Sequence, residues 1–217
     1  MNYEIHLTVN KPDSLNRFKE VCKSFNVKPL VIATGDYDQV MTSSIYKTDY
    51  IDNFHFHLHD LSMKFESEGY NVLRKKVEIM PSIVQHKDHI YYESHVRIKI
   101  PNVSQDRIDY HHELIDVICL SRDLQKSKNL FKVDKNFLYQ MVTFRTHEMD
   151  IWDFGKHMKK VRQDIENNGF LNFDKIELEE CIYDSNIDID KKWLNKFNDM
   201  TAKEFLAING LQQYIKS

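Results

Sequence analysis

The chain repeats itself, and a repeat constrains the fold strongly, because each copy must close the same local structure. Tyr3-Glu4-Ile5-His6 returns as Tyr92-Glu93-Ser94-His95, an offset of 89. Gln39-Val40-Met41-Thr42 returns as Gln140-Met141-Val142-Thr143 at an offset of 101. Phe54, His57, Leu61, Phe65 and Gly69 return as Phe154, His157, Val161, Ile165 and Gly169 at 100. Lys76-Val77-Glu78-Ile79 returns as Lys175-Ile176-Glu177-Leu178 at 99. The matches keep their order, and one insertion of about 12 residues near 120–130 accounts for the change in offset.

Both copies read as βαββαβ. Residues 3–9 alternate and are rich in β-formers, which predicts a strand. Leu15, Phe18, Val21, Cys22 and Phe25 have helical spacing behind Pro12 and Asp13, which predicts a helix over 13–25. Strands follow at 29–33 and 38–47, then a helix at 49–68 closed by Gly69, then a strand at 71–79. The second copy gives strand 90–100, helix 104–120, strands 129–133 and 137–147, helix 149–168 ending at Gly169, and strand 173–182. This is the ferredoxin-like split unit. The expected fold is α/β (α+β by some conventions): a tandem duplication whose two antiparallel sheets face a central cleft, with module 1 at 1–86, module 2 at 87–184 and a C-terminal helical extension at 185–217.

Alternation then sorts the strands into two faces. Tyr3, Ile5, Leu7 and Val9 face the helices, as do Val96, Ile98 and Ile100. Glu4, His6 and Thr8 face away from them, together with Glu93, His95, Arg97 and Lys99. Arg74, Lys76 and Glu78, and Lys175, Glu177 and Glu179, also come out on that side. A cleft between such faces would hold His6, His95, Glu4, Glu93, Lys76, Lys175, Thr8 and Arg97, with Thr42 and Thr143 joining from the third strands. Two imidazoles titrating near neutrality can serve as base and acid on a phosphodiester. Thr8 and Arg97, each two residues beyond a histidine, are placed to hold phosphate.

His6-Leu7-Thr8 resembles the HxT motif of the 2H phosphoesterases, and His95 stands where a second motif would, although His95-Val96-Arg97 lacks the hydroxyl residue. The resemblance implies a bilobal, metal-independent phosphoesterase with His6 and His95 as acid and base. Thr8, Arg97, Lys76 and Lys175 would then hold a nucleotide or RNA-end phosphate. A fainter likeness, in Glu4-Ile5-His6-Leu7-Thr8 with the charged later strands, is to the triphosphate-tunnel (CYTH) proteins, but His6 stands where their second acidic residue would. The alternative from another class is a non-catalytic binding or assembly protein whose duplicated sheets take a partner or a second copy. A Glu–Lys network across the sheets would give the same pattern, so Glu4 and Glu93 leave both readings open. No cofactor or metal is expected.

Other features narrow the field. With a net charge of −3 among 217 residues, the chain has no general pull on nucleic acid. No apolar run reaches the roughly 20 residues that span a bilayer, and the first residues lack a basic-then-apolar leader. Cys22, Cys119 and Cys181 have no metal-like spacing and read as buried thiols, so a cytoplasmic setting is expected. His55, His57 and His59 would share one face of a strand, but the repeat puts them on a helix, where they read as surface and boundary residues. His111-His112 has no counterpart, and neither a glycine-rich phosphate loop nor a nucleophile elbow is present.

Overall fold

The computed structural model describes residues 1–33, 38–48, 50, 53–130, 132 and 134–190. The first half runs β1 (Asn2–Val9), α1 (Leu15–Ser24), β2 (Lys28–Ala33), β3 (Asp38–Lys47), α2 (Phe54–Ser67) and β4 (Val72–Ile79). The second runs β5 (Tyr91–Pro101), α3 (Gln105–Arg122), β6 (Gln125–Asn129), β7 (Phe137–Thr146), α4 (Ile151–Asn167) and β8 (Asn172–Asp184), followed by a 3-10 turn at Ile187–Asp190. The extension expected at 185–217 falls mainly outside the described residues.

Local chemistry sets the helix ends. Ser14, rather than Pro12 or Asp13, starts α1: its hydroxyl accepts from the Arg17 N–H. Asp150 does the same for α4 through the Asp153 N–H. Gly69 and Gly169 follow α2 and α4 at φ 87° and 72°, a conformation that costs glycine nothing. Helix α3 has 18 residues against ten in α1, and it ends at Arg122 with Asp123 left-handed. Much of the insertion is therefore extra helix, and β6 lies at 125–129 rather than 129–133.

The expected pair of sheets around a cleft is not what forms. All eight strands close into one antiparallel barrel, in the order β1-β3-β2-β6-β7-β5-β8-β4. Two seams join the halves. At one, β4 pairs with β8 through Lys76↔Asp184, Val77↔Tyr183, Glu78↔Cys181 and Ile79↔Glu180. At the other, β2 pairs with β6 through Ile32↔Asn129 and Ala33↔Lys128, and Leu130 N–H donates to the Val31 carbonyl. The physical reason is edge satisfaction: two open four-stranded sheets leave four rows of unpaired backbone groups, and closure pairs them. Strand β8 makes this feasible by running to Asp184, past the predicted end at 182, which supplies much of the pairing for β4.

The apolar cores lie outside the barrel, between its wall and the helices. Tyr3, Ile5, Leu7 and Val77 pack with Phe18, Phe54 and Phe65 in the first half. Val96, Ile98 and Ile100 pack with Ile115, Phe154 and Val161 in the second. Strand alternation then turns the other face of each strand into the lumen, a charged face for β1, β4, β5 and β8. No described helix is long and apolar enough to cross a membrane.

Two registers differ from the repeat alignment. His6 lies opposite Ser43 and His95 opposite Thr143, so Ser43, not Thr42, corresponds to Thr143. That one-residue slip reverses a face: Thr42 lies opposite Leu7, on the helix side, and does not line the lumen. In the last strands, Glu4 faces Glu78 and His6 faces Lys76, whereas Glu93 faces Glu179 and His95 faces Glu177. A two-residue slip preserves the face but changes the partners: Lys76 corresponds to Glu177, and Glu78 to Glu179.

Candidate functional site

The lumen is a cavity of about 470 Å³. Its lining is divided. Strands β1, β4, β5 and β8 contribute Glu4, His6, Lys76, Glu78, Glu93, His95, Arg97, Lys175, Glu177 and Glu179. Strands β2, β3 and β7 contribute an apolar wall of Pro29, Leu30, Ile32, Met41 and Met141.

Each half presents an imidazole between two carboxylates. His6 Nε2 lies 3.5 Å from Glu4 Oε1 and 3.1 Å from Glu78 Oε2. His95 Nε2 lies 3.0 Å from Glu93 Oε1 and 3.4 Å from Glu179 Oε2. The second nitrogens anchor the rings: His6 Nδ1 donates to the Thr42 carbonyl at 3.0 Å, and His95 Nδ1 meets Thr143 Oγ1 at 2.9 Å. Burial works to lower both histidine pKa values, but the carboxylates outweigh it. His6 is raised by Glu78 and Glu4, and His95 is raised well above its ordinary value by Glu179 and Glu93.

Lysine 76 spans the halves, with Nζ 2.6 Å from Glu78 Oε1 and 3.2 Å from Glu93 Oε1. Burial alone would raise the Glu78 pKa, yet Lys76 and His6 bring it down to about 2. Glu93 is likewise held well below its ordinary value against burial, by Arg145 and Lys76. Glu179 behaves differently: burial, then the neighbouring Glu78, push it up to about 6.

The two ends of the barrel are unlike. Strand directions place the end of β1 and the start of β5 together at one mouth. There Arg74 bonds Asp184 (2.9 and 2.5 Å), Asp190 (2.7 Å) and the Tyr91 hydroxyl (3.1 Å). Arg145 bonds Glu93 and Asp190, each at 2.6 Å, and lies 4.2 Å from the centre of the Tyr91 ring. Arg74, Asp184 and Asp190 are all at most 2 % exposed through their side chains, so this end is sealed. Thr8 is buried, its Oγ1 unpartnered, and it lies opposite Arg74 rather than at an accessible surface.

The other mouth is open among the described residues. It carries Arg97, Lys99, Lys132, Lys175 and Lys28. Asp174 bonds both Arg97 and Lys99, and Glu177 bonds Lys175. Lys132 Nζ lies 4.0 Å from the centre of the Tyr139 ring.

Of the residues expected to form a site, His6, His95, Glu4, Glu93, Lys76, Lys175, Arg97 and Thr143 line one lumen; Thr42 and Thr8 do not. Alternation puts Glu78 and Glu179 on the correct face but does not mark them as histidine partners. Asp190 carries no such signal, because nothing local in Ile187-Asp188-Ile189-Asp190 marks a plug. The helical histidines stay structural: His57 stacks on Tyr46 at 4.6 Å, and His157 stacks on Phe144 at 4.2 Å. His111 Nε2 donates to the Phe170 carbonyl.

No family model matches the chain, and no curated protein matches it. Solved structures similar to part of it include a Fusobacterium nucleatum protein provisionally named a monooxygenase: 13% identity, 84% of this chain and 93% of that one, TM-score 0.33. Another, provisionally named a chlorite dismutase, shows 11% identity over 84% of this chain and 95% of that one, TM-score 0.29. A protein of unknown function from Galdieria sulphuraria shows 13% identity over 82% and 97%, TM-score 0.26. Likenesses at this level carry no functional argument.

Proposed function

We propose that this chain binds a small organic ligand bearing a phosphate or an equally charged anion. The anion would rest at the cationic mouth and the organic part would lie in the lumen. The observation that supports this is the polarity of one continuous cavity. Five cations against two carboxylates, Asp174 and Glu177, stand at its open end, and an apolar wall of Leu30, Ile32, Met41 and Met141 lies behind them. Such a rim draws in anions and pairs with phosphate oxygens. A volume of about 470 Å³ suits a ligand of nucleotide size, including a single terminal nucleotide of an RNA.

The same geometry favours binding over hydrolysis. A phosphate between His6 and His95 would meet Glu4, Glu78, Glu93 and Glu179, which already occupy both Nε2 atoms. Acid–base work on a phosphodiester would first require those carboxylates to release their imidazoles. A protein-docking role for the duplicated sheet faces has less support, since those faces enclose a lumen. A reducing, cytoplasmic setting fits the three buried free cysteines.

Calorimetry tests the reading, with a panel of nucleoside mono- and triphosphates, cyclic nucleotides and a 2′,5′-linked dinucleotide. At least one is expected to bind without turnover. Arg97→Ala combined with Lys175→Ala is expected to weaken it by about tenfold or more, since charge-assisted bonds contribute roughly 1.5–3 kcal/mol each. Added salt should weaken it further. Binding indifferent to both substitutions, or no binding across the panel, would contradict the reading. Turnover lost in His6→Ala or His95→Ala would restore the hydrolase alternative.

A further inference from the structure

The two Glu–His–Glu groups are built alike and neutralised differently. In the first half the strand pairing sets Lys76 beside His6, and its ammonium sits 2.6 Å from Glu78. In the second half the corresponding position is Glu177. His95 thus meets two carboxylates, as His6 does, and Glu177 pairs with Lys175; Lys76 reaches Glu78 and Glu93, whereas the ion-pair contact of Glu179 is His95. Glu179 Oε2 is buried without a hydrogen-bond partner, and its nearest ion-pair contact is His95 Nε2 at 3.4 Å.

Both spacings from the imidazole suit a metal ion. One donor atom from each of Glu93, His95 and Glu179 lies within 4.8 Å of the other two. His95 Nε2 is 3.0 Å from one oxygen and 3.4 Å from the other. Metal–ligand bonds of about 2.0–2.2 Å at right-angled to tetrahedral spacing require donors roughly 3.0–3.5 Å apart. The surroundings orient the donors as metal sites do. His95 Nδ1 is bonded to Thr143 Oγ1 at 2.9 Å, and Arg145 holds the second oxygen of Glu93 at 2.6 Å.

We propose that Glu93, His95 and Glu179 form a site for one divalent first-row transition ion. One imidazole with two carboxylates suits Mn²⁺, Fe²⁺ or Zn²⁺ better than Mg²⁺ or Ca²⁺, which favour oxygen alone. The site lies deeper than the cationic mouth and does not depend on an anion being bound there. An ion held there has its open positions facing the lumen, within reach of a ligand's oxygen atoms.

The test is equilibrium dialysis of the full chain against Mn²⁺, with Zn²⁺ and Mg²⁺ in parallel and no organic anion present. One Mn²⁺ per chain is expected, with Mg²⁺ much weaker. Glu179→Gln should weaken binding by at least about tenfold. Glu177→Lys sets a further ammonium beside the cluster and should weaken binding at least as much, and the melting temperature of each variant shows that lost binding is not lost folding. Absence of stoichiometric binding at about millimolar free ion would overturn the site. So would binding that neither substitution changes. Because no phosphate is present, failure here leaves the proposed anion binding untouched, and failure there leaves this site untouched.

Discussion

Arg74→Ala is expected to destabilise the protein by about 3–5 kcal/mol, the range for removing one partner of a buried ion pair. Arg74 is almost fully buried and bonds two carboxylates, Asp184 and Asp190, plus the Tyr91 hydroxyl. Truncation removes the guanidinium that both Asp184 and Asp190 share, leaving contacts that include Arg145 and Gln39 for Asp190 and Tyr91 and the Asn186 N–H for Asp184. The loss should depend on pH in a set direction. Burial raises the Asp190 pKa, but Arg145 and Arg74 outweigh it and hold the group below its ordinary 3.8. A depressed carboxyl contributes stability above its unfolded pKa, and that contribution is lost as pH falls through the folded value. Urea unfolding should therefore show the full gap between wild type and variant at pH 7, narrowing below about pH 4. A gap under about 1 kcal/mol at pH 7 would mean the seal is not formed.

Lys76→Met tests the centre of the lumen in the same way. Methionine matches the apolar stem of lysine as far as Cε and removes the ammonium. Glu78 and Glu93, each at most 2 % exposed, would lose the ammonium they share. Arg145 still pairs Glu93, so most of the loss falls on Glu78, with His6 alone opposing its charge. A cost of about 3 kcal/mol or more is expected at pH 7. Glu78 falls from 4.5 to about 2 in the native protein, so its contribution is whole above pH 4.5 and disappears toward pH 2. The variant's deficit should shrink across that window. A deficit that stays constant with pH would point to lost packing instead.

Much of this arrangement could be read from period-two alternation. It puts Glu4, His6, Thr8, Glu93, His95, Arg97 and both last-strand charge sets on one face, and all of them but Thr8 line the lumen or its mouth. The failures have physical causes. Gln39 and Gln140 look equivalent, but only strand pairing reveals the one-residue slip that turns Thr42 outward and Ser43 inward. A sequence also does not state which strand edges meet. The seam between β2 and β6 rests on two residue pairs, and the seam between β4 and β8 on a strand extension that no local signal marked. Asp190 reaches Arg74 and Arg145 across more than forty intervening residues, so it has no nearby pattern to betray it.

Whether the two halves close into one barrel is decided at the β2–β6 seam, where Ala33 lies opposite Lys128. Directly paired strand residues fall within the roughly 4.4–6.8 Å Cα separation of a disulfide. Ala33→Cys combined with Lys128→Cys should form an intramolecular disulfide under mild oxidation, detected as two fewer alkyl groups taken up by the unfolded chain. If both thiols stay reduced while the protein remains folded, the strands do not meet, and the shared lumen is not enclosed.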